Sequence, residues 1–192
     1  MEYIGEETIP EAVTVEIFKR SVHMLDGDAE DDAAIALLLV AAQQVVVTAT
    51  GRPFSPLEFA FYIPAGDWCR WWFPCLPVVS ITSVEIEDPD AGLVALDASK
   101  YRLSRQADEP QLVLRQALPT GAETVRVVAK VGHAPAAAAA APMQHAVILL
   151  TKEWFEAGIA VEDPANPPRL SFGFRALIRQ QRYRRPCEFK AV

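Results

Sequence analysis

The hydrophobic period of this chain changes at residues 51 to 57, and that change limits the architectures open to it. Upstream, Ala33 to Gly51 contains no charged residue, and its apolar run is long enough for a helix of several turns. Gly51 and Pro53 then give a stop signal, because glycine takes the left-handed cap conformation and proline cannot continue the hydrogen-bond ladder. From Leu57 the segment "LEFAFYI" sets Leu57, Phe59, Phe61 and Ile63 against smaller or polar partners, a period of two. Helical spacing returns at Met143, Val147, Leu150 and Trp154, so the chain is expected to be α+β, with a β-rich part inserted among helices.

About four helices are expected. Val15, Phe18 and Val22 place an amphipathic helix over Thr14 to Met24, and "LDGD" reads as the turn after it. Asp28 is a candidate cap for the second helix, with Glu30, Asp31 and Asp32 in the first turn, where the macrodipole favours negative charge. Pro142 and Gly158 bound a third helix. A fourth, short helix follows Ser171, with Phe174, Leu177 and Ile178 as its apolar edge and Arg175, Arg179 and Arg182 as a basic stripe at spacings of four and three.

Between the helices, strands are expected at 57–63, 93–96, 101–104, 111–115 and 124–130, separated by turn-rich "DPDAG", "DASK", "ADEP" and "PTGA", which implies an antiparallel meander. The strand in "PCLPVVSITSVEIED" carries a fault. Val79 and Ile81 are two apart, as are Val84 and Ile86, but Ile81 and Val84 are three apart. All four share a buried face only if one extra residue is absorbed, which places a β-bulge at Thr82 or Ser83. Pro74 and Pro77 lack amide donors and suit the start of a strand or a sheet edge. The expected division is 1–56 helical, 57–133 β-rich and 134–192 helical with a basic tail. "HAPAAAAAAPM" is a hinge, a lightly ordered connector or an extra helical turn.

Charge is distributed unevenly. Residues 1–32 hold ten acids against Lys19 and Arg20, whereas 169–192 hold six arginines and Lys190 against Glu188 alone, within a net charge of −7. Such polarity fits docking on different partners or on other copies of the same chain, and equally fits two solvated surfaces. Cys69, Cys75 and Cys187 are odd in number and lack CxxC spacing, so a reducing compartment is expected, with neither a disulfide framework nor a zinc ribbon. The acidic start lacks the character of a signal peptide. Gln43, Gln44, Thr48 and Thr50, with Ala33, Ala34, Ala36, Ala41 and Ala42, dilute the uncharged run, so a buried helix is expected there and no membrane span.

No catalytic pattern emerges. His23, His133 and His145 stand apart, and HExxH, GxSxG and phosphate-loop motifs are absent from the sequence, so neither an enzyme nor a metal or cofactor site is expected. Nucleic-acid binding is the rival reading, because Phe172, Phe174 and Tyr183 lie among the C-terminal basic residues. Against it stand the acidic whole and the shortness of the stripe.

The order of "TATGRPF" (48–54), "LPVVSITSVEI" (76–86), "LDASKYRL" (96–103), "PMQHAVILLTKEWFE" (142–156) and "LSFGFRALI" (170–178) resembles the head-tail connector, or adaptor, proteins of tailed phages and phage-like gene transfer agents. The resemblance covers most of residues 13–183. It implies a ring of twelve copies at the head-tail junction of a virion or virion-like particle, beneath the portal and above stopper or tail proteins, assembled in the host cytoplasm, with DNA passing through the lumen unread. It also implies portal docking by Phe172, Phe174, Arg175, Arg179, Arg182, Arg184 and Arg185, the match by position extending over Leu170 to Ile178 only. Glu30, Asp31, Asp32, Trp68, Trp71 and Trp72 are candidates for an inter-subunit or tail-side surface, the tryptophans serving equally well as core.

Overall fold

The computed structural model describes residues 1–5, 8–24, 29–88, 92–119, 121–133, 141–157 and 171–186. It divides into a β-rich unit, formed by the described residues of Met1–Ile9, Ser55–Ala134 and Tyr183–Val192, and a helical unit, formed by those of Pro10–Phe54 and Pro135–Arg182. The described residues of Met1–Ile9 and Tyr183–Pro186 group with the strands. Asp28, the six alanines apart from Ala141, Gly158, the loop before Ser171 and the tail after Pro186 lie outside the described residues.

The helical unit holds α1 (Val15–Ser21), α2 (Asp32–Thr50), α3 (Ala141–Ala157) and α4 (Phe172–Gln181). α1 is shorter than expected. Thr14 caps its start by accepting from Ile17 N–H at 3.4 Å. His23 then turns left-handed (φ 60°), and Met24 N–H reaches back to the Lys19 carbonyl at 2.9 Å, which closes the helix. α2 starts three residues later than the Asp28 cap implied, with Asp31 at its N-cap position and no side-chain cap bond. It ends as expected, with Gly51 left-handed and its N–H on the Val47 carbonyl at 2.8 Å.

The core of this unit follows helical spacing: Ile35, Leu39, Ala42, Val46 and Thr50 on α2 meet Met143, Ala146, Val147 and Leu150 on α3, with Phe18 and Phe174 closing the ends. Two glutamines fasten the incoming chain, since Gln43 bonds both Ala12 N–H (2.7 Å) and the Pro10 carbonyl (2.9 Å), and Gln144 donates to the Ala12 carbonyl at 3.1 Å. α4 is capped as its sequence predicts, Ser171 accepting from Phe174 N–H at 3.2 Å. At its far end the Arg52 guanidinium donates to the Gln181 carbonyl at 2.7 Å.

Among its described residues the β-rich unit has eight strands: β1 (Glu2–Tyr3), β2 (Leu57–Pro64), β3 (Arg70–Trp72), β4 (Val78–Asp88), β5 (Gly92–Ala95), β6 (Tyr101–Ser104), β7 (Gln111–Leu114) and β8 (Thr124–Val131). Every pairing is antiparallel, but the strands form two sheets, ordered β1-β2-β8-β4-β5 and β3-β7-β6. Their inner faces share one core in which Phe61, Trp71 and Phe73 meet at centroid distances of 4.8 to 5.7 Å. β1 and β3 were not legible as strands. β1 has two residues, and the prolines around β3 masked it.

The fault in β4 resolves into two register shifts against β8, between Val78 and Ser80 and between Ile81 and Ser83. The second skips Thr82, as expected. The first skips Val79, so the buried face carries Val78, Val84 and Ile86 with Ile81 half-buried, while Val79 is exposed rather than inside. β4 begins directly after Pro77, as the missing amide suggested. Gly132 closes β8 at φ 133°, so tightly that a β-carbon there would stand 1.9 Å from the Ser55 carbonyl oxygen.

Candidate functional site

The described surface offers no catalytic constellation. Burial pushes the Cys75 thiol up to about 12, which keeps it protonated and unreactive at neutral pH. Cys69 is exposed. Among the described residues, no group of three or more His, Cys, Asp or Glu is placed to hold a metal ion. The features with most chemistry are therefore surfaces, and each unit has its own.

On the helical unit, the α4 periodicity that buries Phe174 (3% exposed) turns Phe172 (87%), Arg175 and Arg179 outward, with Arg182 exposed just beyond the helix end. Phe172 and the three arginines thus follow one stripe at spacings of three, four and three, an apolar knob heading a row of cations. Phe174 was expected to dock on a partner; it is a core residue that seats α4, and it is not available for direct contact. The acids at the start of α2 divide in the same way. Asp32 is ion-paired with the buried Lys19, while Glu30 and Asp31 are exposed.

α2 is not the fully buried helix that its lack of charge suggested. Ala33, Ala34, Leu37, Val40, Ala41, Gln44, Val45 and Thr48 are all exposed, Leu37 to 75%. They form an uncharged stripe about 22 Å long at 1.5 Å per residue. By length and composition alone α2 is apolar enough to cross a membrane, and its inner face forms part of the helical core.

On the β-rich unit the tryptophans separate. Trp71 is 8% exposed in the core, whereas Trp68 and Trp72 are half-buried at the surface. Trp68 Nε1 donates to the Pro64 carbonyl at 2.9 Å and Trp72 Nε1 to Glu109 Oε2 at 3.3 Å. The Arg185 guanidinium lies 5.3 Å from the centre of the Trp71 ring, a cation–π distance. The C-terminal basic segment, expected as one docking element, is therefore split. Phe172 to Arg182 belong to the helical unit, and Arg184 and Arg185 to the β-rich unit. Sequence gave no signal for this division, because the change of unit falls inside "RYRR".

On the outer face of the larger sheet, Glu85 and Arg126 stand opposite each other in register and pair at 2.7 Å. The hydrogen bond that Arg126 donates to Glu85, together with the carboxylate's charge, holds the Arg126 pKa above its ordinary value. Thr82, freed by the bulge, donates to Glu58 Oε1 at 2.8 Å. These contacts stiffen the sheet and offer no reactive group.

Neither a family model nor a curated protein matches the sequence. Solved structures do match. A chain in the neck of an empty GTA particle computed with C6 symmetry is 22% identical, with all of both chains covered and a TM-score of 0.74. A chain in the neck of the native GTA particle computed with C12 symmetry is 22% identical, again with both chains fully covered, at a TM-score of 0.72. A chain in the virion of the native gene transfer agent particle is 23% identical over 97% of each chain, at 0.71. The chain thus shares, from end to end, the fold of proteins solved in the neck and virion of gene transfer agent particles.

Proposed function

We propose that this protein is a structural head-tail connector, an adaptor that forms a ring of about twelve copies between the portal and the stopper or tail proteins of a phage-like particle, with DNA passing through the lumen. The observation that carries this reading is the end-to-end likeness to chains in particle necks, one of them computed with C12 symmetry. The uncharged outer stripe of α2 supports it, because a face of that length without charge is costly to leave in water and suits close packing in an assembly. So does the net charge of −7. A conduit that attracted DNA along its length would hold each phosphate it passed, and few cations on the lumen avoid that.

Portal docking is assigned to the outward face of α4, through Phe172, Arg175, Arg179 and Arg182, with Arg184 following. Arginines in a row recognise carboxylates through paired N–H donors, and an apolar knob beside them supplies the desolvated anchor that docking surfaces use. The same row is what the rival reading, nucleic-acid binding, relies on. Charge reversal at Arg175, Arg179 and Arg182 separates the two. The adaptor reading expects loss of binding to portal rings from the same genome and no salt-sensitive DNA affinity in the parent. Strong DNA binding that weakens steeply with salt and vanishes in the variant contradicts it.

A further inference from the structure

We propose that the β-rich unit carries a head-to-tail contact between copies of this chain, in which edge strand β5 of one copy pairs with edge strand β3 of the next. The inference rests on the ring reading above and names the surfaces that close the ring on the β side.

Both strands lie at sheet edges, β5 at the end of the larger sheet and β3 at the end of the smaller. In an antiparallel ladder, successive residues turn their N–H and C=O alternately toward and away from the neighbour. Leu114 N–H donates to the Cys69 carbonyl and Phe73 N–H to the Pro110 carbonyl, so Cys69, Trp71 and Phe73 face β7. Arg70 and Trp72 turn their backbone groups away from it. Likewise Leu96 N–H donates to the Val84 carbonyl, so Val94 faces β4 while Leu93 and Ala95 turn outward. Each edge therefore presents two outward residues spaced by two. One antiparallel register pairs Leu93 with Trp72 and Ala95 with Arg70, and satisfies both edges together.

The side chains agree. All four residues of β5 are exposed, including Leu93 (53%) and Val94 (46%), an uncovered apolar edge of the kind that recruits another strand. Beside it, Glu87 and Asp88 on β4 are exposed. β3 borders a cleft of about 390 Å³ walled by Trp68, Arg70, Trp72 and Arg185. An acidic apolar edge thus has a basic aromatic edge as its complement.

Charge also selects a second copy in head-to-tail order. Pairing β5 with another β5 brings Glu87 and Asp88 against their equals, and pairing β3 with another β3 does the same for Arg70 and Arg185. Only the mixed contact joins opposite charges, and a mixed contact is heterologous, which closes into a ring when the rotation allows. The other edge of the smaller sheet, β6, runs into Arg105, whose guanidinium already holds the Val78 and Val79 carbonyls.

The contact places Ala95 of one copy directly opposite Arg70 of the next, with both side chains on one face of the joined sheet. Ala95→Cys combined with Arg70→Cys, in a chain carrying Cys69→Ser and Cys187→Ser and treated with a short bis-maleimide in the presence of portal rings, should give a ladder that extends beyond the dimer. Either new cysteine alone in that background should give no ladder. Leu93→Pro removes one outward N–H and leaves the bonds to β4 intact, so it should fold with an unchanged melting profile and associate about tenfold more weakly. Rings that form without a ladder, or that are unaffected by Leu93→Pro, overturn this pairing while the ring reading stands. A ladder that stops at the dimer also overturns it, since the contact is then isologous. Absence of any multimer, with portal or without, removes the ring reading and the pairing together.

Discussion

Gly132→Ala tests the tightest point of the β-rich unit. Gly132 has φ 133°, and an added β-carbon would meet the Ser55 carbonyl oxygen at 1.9 Å, which is 1.5 Å inside the ordinary contact distance of 3.4 Å. The atom that must yield is backbone, immediately before β2. Relief therefore displaces the start of that strand or the end of β8, which pair at Leu57 and Val131. The unfavourable dihedral costs about 1–3 kcal/mol, and forcing backbone apart in a packed region adds about 1–3 kcal/mol. At about 2–4 °C per kcal/mol for a chain of this size, the melting temperature should fall by roughly 4–24 °C. Gly121→Ala is the control, because Gly121 has φ 93° with open space around its β-carbon position. It should lose only the dihedral part. Thermal melts followed by tryptophan emission, which reports Trp68, Trp71 and Trp72 in this unit, compare the two. If Gly132→Ala melts no lower than Gly121→Ala, the close approach to Ser55 is refuted.

Phe73→Ala removes a ring with no exposed surface that contacts Phe61 and Trp71; a loss of about 3–5 kcal/mol is expected from urea unfolding, and less than 1 kcal/mol contradicts the shared core of the two sheets. Burial pushes the Cys75 thiol up to about 12, so it stays neutral in the fold well above the pH of about 9 at which an exposed thiol ionises. Because the folded pKa is the higher one, its contribution is fully present below pH 9 and fades as pH rises toward 12. The parent should therefore lose up to about 4 kcal/mol more than Cys75→Ala across that window, and parallel stability curves for the two reject the assignment. Leu37→Lys, at a side chain 75% exposed, should leave the isolated fold within about 0.5 kcal/mol of the parent while weakening self-association, measured by analytical ultracentrifugation. Ser171→Ala should cost about 1 kcal/mol through loss of the α4 cap, read as earlier loss of helical circular dichroism.

What the sequence revealed was what local physics decides. Gly51 ended α2 and Ser171 capped α4 because a cap needs only its own few residues. The bulge at Thr82 was visible because alternation on one strand broke and the buried face had to be recovered. Other features depended on partners far along the chain. Val79 lost its place inside because a second bulge is set by register with β8, and β3 exists because β7 receives it. The basic segment looked continuous, yet Phe174 was drawn into the helical core and Arg185 onto Trp71, choices that depend on tertiary neighbours. The uncharged face of α2 was misread as burial, since periodicity alone does not distinguish a helix buried all round from one that leaves an apolar stripe outside.

The central claim is that copies of this chain assemble as a ring on a portal. The most direct measurement is the mass and copy number of the complex formed with purified portal rings from the same genome, by sedimentation and electron microscopy. The account predicts a closed ring of about twelve copies on one face of each portal, lost on charge reversal at Arg175, Arg179 and Arg182. A protein that stays monomeric and leaves the portal bare at micromolar concentration contradicts it.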